Sequence, residues 1–400
     1  MIEDRDLFER AVQRFVPTAG SFDRLASRRD RKRRNKRIAA GIVGILVAIA
    51  GFGAVLRAIE ADRGMPVAPE PSLPKNGDVT FVSDKVVDFS DNLSDFSILY
   101  TVDPVGGEPK KLLDVGCLGR AGSTPCEDTV VRSIDWSPDG THLAFATSGS
   151  GASFGGRAGI YVLDAKTLDL RQITSCTRPC VFQDDVDWSP DGSRIAYSQA
   201  NGSGCDRMNE FRGSCAIFTM DPDGTNREKL PTGAAVDPVG PSWSPDGTHV
   251  AFSARVHEDW FVYTMAVDGS ELTRLAGDLH PSPEQTQPSW SPDGSSIAFI
   301  TWEGADEGRE PTQLDAEHGL PLDLWAIAPD GSGLRHLYES CCLFGGAGFS
   351  AQGPEWSPDG TRVLFSGGTG GRLELIDPET KEVAVTPGEP SGPIAWQPVP

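Results

Sequence analysis

Trp188-Ser189-Pro190-Asp191-Gly192, followed by Ser193-Arg194-Ile195-Ala196-Tyr197, is the stretch that decides the fold. Its first five residues recur intact from Trp136, Trp243, Trp290 and Trp356, and a degenerate copy, Trp396-Gln397-Pro398, stands at the C-terminal end. Successive tryptophans lie 52, 55, 47, 66 and 40 residues apart. Periods of this size belong to solenoids, propellers or arrays. Ser-Pro-Asp-Gly spells a type I turn: Ser suits the first position and Pro presets φ at the second. Asp139, Asp191, Asp246, Asp293 and Asp359 fill the third place, and Gly140, Gly192, Gly247, Gly294 and Gly360 the fourth. Seven residues after each Trp comes Leu143, Ile195, Val250, Ile297 or Val363, and two further on an aromatic, such as Phe145 or Tyr197. That period of two predicts a strand.

A further strand is expected at 159–164, 216–221, 260–267, 323–328 and 372–377, then a turn rich in Asp, Pro and Gly, then a last strand ending near Ile173, Leu230, Leu275 or Leu337. With the Trp strand this makes four strands per repeat, and four-stranded sheets repeated radially are propeller blades. The first strands, 78–82, 97–103 and 110–115, have no Trp strand before them, while the last, 392–397, has nothing after it. Placing both chain ends in one blade solves both problems and leaves no open sheet edge at the junction. The prediction is an all-β, six-bladed propeller of four-stranded antiparallel blades over residues 78–400, with the Trp396 strand innermost in the shared blade. A linear solenoid is the rival, and it needs caps that the sequence does not show.

The repeat resembles the TolB-type propeller repeat, whose signature is a strand, Trp-Ser-Pro-Asp-Gly, then a strand like Arg194-Ile195-Ala196-Tyr197. The resemblance covers about residues 77–400. Related repeats occur in TolB, in tricorn-like proteins and in propellers of the prolyl oligopeptidase family, so the resemblance implies the fold and not one activity. TolB has an α/β domain ahead of its propeller, and this chain departs from that pattern.

Residues 38–56 are 19 consecutive uncharged positions, about 28 Å at helical rise and close to a bilayer core. Residues 28–37 hold eight Lys/Arg and one Asp. The positive-inside rule then places 1–37 in the cytoplasm, a single transmembrane helix at 38–56, a Pro-rich linker at 57–77 and the propeller outside the cell membrane. A cleaved signal peptide is the alternative, but the leading region is long and no small-residue cleavage site follows. Residues 1–64 carry 14 Lys/Arg and 8 Asp/Glu in a chain of net charge −21, so the propeller is strongly acidic. That excludes nucleic acid as a natural ligand and favours a neutral or basic partner.

All eight cysteines lie in the propeller, as Cys117/Cys126, Cys176/Cys180, Cys205/Cys215 and the adjacent Cys341-Cys342. Even number, short spacing and predicted export point to disulfides. Zinc is the rival reading for Cys176 and Cys180, though no second ligand pair follows at finger spacing. Whether Cys341 and Cys342 are bonded stays open.

In such a blade the Ser-Pro-Asp-Gly turns and the Asp/Gly turns share one face and stay short. The opposite rim carries the insertions, at 116–129, 148–157, 175–183, 199–214, 302–322 and 339–351, and all the Cys pairs. Elaborated loops on one rim of a rigid scaffold mark a binding surface, with plain loop drift as the alternative. Trp260 and Trp302 lie near this rim as candidate anchors. Asp184 and Asp185, with Asp187, approach the channel and could hold a cation, or stand as ordinary solvated carboxylates.

No catalytic constellation, cofactor site or metal site is expected. Gly151-Ala152-Ser153-Phe154-Gly155 spells a nucleophile elbow but lies between strands, not at a strand-to-helix turn. Leu7, Phe8, Ala11, Val12 and Phe15 form a short amphipathic stripe near the N-terminus. Three functions are therefore carried forward. The favoured one is an anchored, monomeric extracytoplasmic module that binds an envelope protein, a peptide or a small ligand. The second is a transmembrane signalling protein with the propeller as sensor. The third is a propeller enzyme such as a lyase or lactonase.

Overall fold

A computed structural model describes residues 73–399 apart from 90–91, 116–128, 150–157, 178, 202–213, 257–258, 278, 280–283, 303–321, 341–352, 368–371, 387, 389 and 391. The chain divides into two compact units, Met1–Pro71 and Ser72–Pro400. The predicted cytoplasmic segment and membrane helix fall in the first unit, outside the described residues. Among the described residues no helix is long and apolar enough to cross a membrane.

Six four-stranded antiparallel sheets make up the second unit. From the innermost strand outward, the first blade is Ile394–Val399, Lys75–Phe89, Asn92–Val102 and Lys110–Asp114. The next five blades follow in chain order, with innermost strands Thr129–Trp136, Cys180–Trp188, Val236–Trp243, Glu284–Trp290 and Glu355–Trp356. The shared first blade closes as the sequence predicts: Val79 pairs with Trp396, Thr80 with Ala395 and Phe81 with Ile394. Its central hairpin is longer than expected, running to Phe89 before returning at Asn92.

The repeated turn is held by its own side chains. In the second blade Gly140 N–H donates to Ser137 O at 2.8 Å, which closes the type I turn. The Ser137 hydroxyl donates to Asp139 Oδ1 at 2.6 Å, and the same carboxylate accepts Thr141 N–H at 3.1 Å. His142 N–H donates back to Ser137 Oγ at 2.9 Å. The network repeats around Asp191, Asp246, Asp293 and Asp359. Ser and Asp thus supply a second hydrogen-bonded layer as well as turn propensity.

The turns also touch each other. A Cβ on Gly192 would meet Pro138 at 3.5 Å, one on Gly247 would meet Pro190 at 3.4 Å, and one on Gly294 would meet Pro245 at 3.3 Å. At the seam Gly140 packs against the Pro398 carbonyl, and Asn76 Oδ1 accepts Asp359 N–H at 3.1 Å. Each blade interior is apolar. Leu143, Phe145, Ile195, Tyr197, Phe252, Phe299 and Phe365 have essentially no exposed surface. Cross-strand aromatic stacks recur as Phe81/Tyr100, Phe145/Tyr161, Tyr197/Phe218 and Phe252/Tyr263, with ring centroids 5.4–5.9 Å apart. Such pairs add about 0.5–1.5 kcal/mol beyond burial.

The tryptophan indoles show an asymmetry with a clear origin. Trp136 Nε1 donates to Thr80 Oγ1 of the preceding blade at 3.0 Å. The buried Nε1 groups of Trp188, Trp243, Trp290 and Trp396 find no partner. In strand register the counterparts of Thr80 are Ala144, Ala196, Ala251, Ala298 and Leu364, none of which carries a hydroxyl. Thr80→Ala is therefore expected to cost about 1–2 kcal/mol, the penalty of one more unpaired buried donor. Denaturant midpoints of the two proteins read this directly, and identical midpoints would show that the indole bond adds nothing net.

Candidate functional site: an acidic central channel

The six innermost strands line a channel along the ring axis. Most of them are bulged next to the tryptophan, with register shifts between Val131 and Ser133, Asp184 and Asp187, Val239 and Ser242, and Thr286 and Ser289. Asp185, Gly240 and Gln287 sit in these bulges at φ of 53°, 64° and 53°. A bulge re-aims side chains, and the residue just before five of the six tryptophans faces the channel: Asp135, Asp187, Ser242, Ser289 and Glu355. The sixth, Ala395, is buried in an apolar cluster.

The channel widens in two stretches. One of about 220 Å³ is lined by Asp135, Asp187, Glu355, Ser242, Ser289, the six repeat tryptophans and six prolines. The next, of about 90 Å³, is walled by Ser133, Asp185, Gly240, Gln287 and Gly353. Asp187, Ser242, Ser289 and Glu355 border both, and among the described residues no Lys, Arg or His lines either.

The channel residues also stitch the blades together. Trp188 N–H donates to Asp135 Oδ2 at 2.6 Å, Trp243 N–H to Asp187 Oδ2 at 2.7 Å and Trp290 N–H to Ser242 Oγ at 3.2 Å. Farther along the channel, Val186 N–H donates to Ser133 Oγ at 3.1 Å. Gly240 N–H donates to Asp185 Oδ2 at 3.0 Å and to Ser198 Oγ at 2.9 Å. Each bond runs from one blade to its neighbour, so the recognition surface and the ring joint are made of the same side chains.

The carboxyls keep part of their surface toward the channel yet lie deep in the protein. Burial pushes Asp135 up to about 7, against the opposing pull of the Trp188 and Trp136 amides. Burial, then the Asp135 charge, raises Asp187 well above the usual carboxylate range. Burial and the charges of Asp135 and Asp187 do the same to Glu355. The three carboxyls therefore titrate as a coupled set, in which each negative charge disfavours the next.

The structure separates the residues singled out from sequence. Asp185 and Asp187 face the channel, and Asp187 is a desolvated group, not the solvated carboxylate of the bland reading. Asp184 turns away to an ion pair with Arg132 Nε at 3.2 Å. Trp260 is only 2% exposed and packs with Ala200, Cys215 and Val239, so it belongs to the core and is no exposed anchor. Trp302 pairs through its backbone with Glu284 and Leu322, and its side chain lies outside the described residues. Cys176 and Cys180 form a disulfide, which removes the zinc reading for that pair. Cys215 is also disulfide-bonded. Cys117, Cys126, Cys205, Cys341 and Cys342, like most of the long rim loops, lie outside the described residues. Among the described residues no group of three His, Cys, Asp or Glu side chains is placed to hold a metal ion.

Asp135 and Glu355 escaped the sequence reading. The signal that finds them is the column just before the repeated Trp, read as Asp, Asp, Ser, Ser, Glu, Ala.

No family model matches the chain. Against solved structures, TolB from Acinetobacter baumannii superposes with a TM-score of 0.55 at 17% identity, covering 82% of this chain and 68% of that one. A TolB homolog protein of Chlorobium luteolum is 34% identical over 120 residues, 30% of this chain and 23% of that protein. The chain carries a TolB-type β-propeller. An uncharacterized protein of Agrobacterium fabrum, Atu1656, is 29% identical to this TolB-type chain over 235 residues, 57% of this chain and 67% of that one. The aligned segment spans about a quarter of the Chlorobium protein, so the likeness speaks for the propeller and not for a whole protein's activity.

Proposed function

We propose that this chain is a membrane-anchored, extracytoplasmic binding module whose acidic channel mouth receives an extended neutral or basic segment of an envelope protein. The observation that carries the reading is the channel wall: three carboxyls from three blades, serines between them and, among the described residues, no cationic side chain facing them. A partner's lysine or arginine would supply the missing charge, in a setting where its interaction is screened far less than on the surface. The net charge of −21 steers such a partner toward the propeller. The uncharged run at 38–56, flanked by the basic 28–37 segment, supports the anchor and the orientation. The relation to a TolB homolog protein agrees with a role at the cell envelope. The apolar stripe Leu7, Phe8, Ala11, Val12 and Phe15 favours one second reading, in which the cytoplasmic end passes on the state of the propeller.

A photo-crosslinking residue at Gln287, on the channel wall, tests the proposal in cells that make the full chain. It is expected to trap an envelope protein, and trapping should fall about fivefold or more when Asp187→Asn and Glu355→Gln are combined, since a carboxyl can give up its proton to meet a bound cation and an amide cannot, a difference of about 0.5–1 kcal/mol at each position. The same crosslinker at the exposed Val383, on the outer edge of the sixth blade, should trap nothing. Equal trapping at Val383, or a cytoplasmic protein as the captured partner, would overturn the assignment.

A further inference from the structure

We propose that Asp135, Asp187 and Glu355 form a proton-controlled latch, which keeps the seams between the second, third and fourth blades closed while the three carboxyls hold their protons and loosens them as those protons leave. The proposal goes beyond the binding reading and does not depend on a partner.

Geometry carries it. Each carboxyl comes from a different blade, and all three face one cavity of about 220 Å³. The groups opposite them are Ser242, Ser289, indoles and prolines, with Asp185 in the next stretch of the channel and, among the described residues, no Lys, Arg or His on the wall. Among the described residues, only backbone amides and no cationic side chain face a second negative charge. Like charges in such a cavity repel with far less screening than in water. Two of the three carboxyls are also joints, since Asp135 accepts the Trp188 amide and Asp187 accepts the Trp243 amide of the following blade. Repulsion within the triad thus acts directly on the seams between blades. Glu355 is the third charge, on the far side of Ala395 from Asp135.

The sign of the pH dependence follows from the direction of the shifts. Asp135 is raised from 3.8 to about 7, so the folded ring holds this proton more tightly than the unfolded chain does. The contribution is complete below pH 3.8 and is lost as pH rises toward about 7. Asp187 and Glu355 are shifted the same way. The turn carboxylates are shifted the opposite way, for example Asp191 by the Ser189 hydroxyl and Asp246 by the Ser244 hydroxyl. They are already ionised at pH 5 and add no slope above it.

Amide hydrogen exchange of the propeller in the full chain, read at Trp188 and Trp243 and corrected for intrinsic exchange, tests the latch between pH 5 and 7. Protection is expected to fall by at least about tenfold per pH unit, the slope contributed by each proton that the folded state binds more tightly. Glu355→Gln makes no change to either joint bond, and it should flatten the slope and raise protection at pH 7. Asp135→Asn should do the same while keeping an oxygen to accept the Trp188 amide. Both variants are read against their own pH 5 values, so a loss of stability common to all pH values does not mimic the effect. Protection that stays constant from pH 5 to 7 in the unmodified chain, or that falls with the same slope in both variants, would overturn the proposal.

Discussion

Deleting residues 392–400 is expected to leave a propeller that no longer folds to a soluble form. The deletion removes the innermost strand of the first blade, with Ile394, Ala395 and Trp396 buried at 5%, 1% and 3% exposure. Truncation of a single buried Trp costs about 3–5 kcal/mol, and Ile394 and the strand's hydrogen bonds to residues 75–81 add to that. The sum is of the order of the whole stability of a typical domain, about 5–15 kcal/mol. The deletion also bares an edge at Lys75–Phe89, which offers unpaired backbone groups to other chains. Solubility and thermal melting of the truncated chain measure the effect, and a melt unchanged from the intact protein would mean that the ring is held shut by something other than this strand.

Gly140→Ala is expected to destabilise far more than the equivalent Gly192→Ala. Both glycines sit in the left-handed region, at φ of 67° and 70°. A side chain there costs about 1–2 kcal/mol on backbone grounds alone. Only at Gly140 does the new Cβ collide with backbone, the Pro398 carbonyl, whereas at Gly192 it meets Pro138 at an ordinary 3.5 Å. The collision can be relieved only by moving the closing strand. A total of about 3 kcal/mol or more is therefore expected at Gly140, because overpacking against rigid backbone adds about 1–3 kcal/mol. Equal denaturant midpoints for the two variants would show that the seam tolerates the displacement.

The sequence made the fold legible because its decisive signals are local. Ser-Pro-Asp-Gly specifies a turn through φ preferences and short side-chain bonds, and the alternation after it specifies a strand. The position of Trp396 relative to Val79 could be inferred because strands must be paired somewhere, and the observed register agrees. The channel was only half legible. Asp185 and Asp187 drew notice as a carboxylate cluster, but the burial of Asp187 follows from ring closure and from a bulge, neither of which one strand reveals. Asp135 and Glu355 stand in a column that is acidic in only three of six repeats, so nothing in the sequence sets them apart. Trp260 misled in the opposite sense, since a large aromatic near a rim is as suited to a core as to an interface. The indole of Trp136 differs from those of Trp188, Trp243, Trp290 and Trp396 through Thr80, a residue 56 positions away that only the folded ring brings to it; the Trp356 indole instead donates to the Ser289 carbonyl.

The account rests on both chain ends sharing one blade around a closed acidic channel. A pair of cysteines introduced at Thr80 and Ala395, which face each other across the closing strands, tests it most directly. Directly opposed residues of antiparallel strands have Cα atoms about 4.5–5.5 Å apart, within the range a disulfide spans. Mass spectrometry of the purified chain is expected to find the two positions joined within one molecule. The pair Thr80→Cys with Val399→Cys, about 13 Å out of register at strand rise, should remain unlinked. A link found only between molecules, or equal linking by both pairs, would contradict the closed ring.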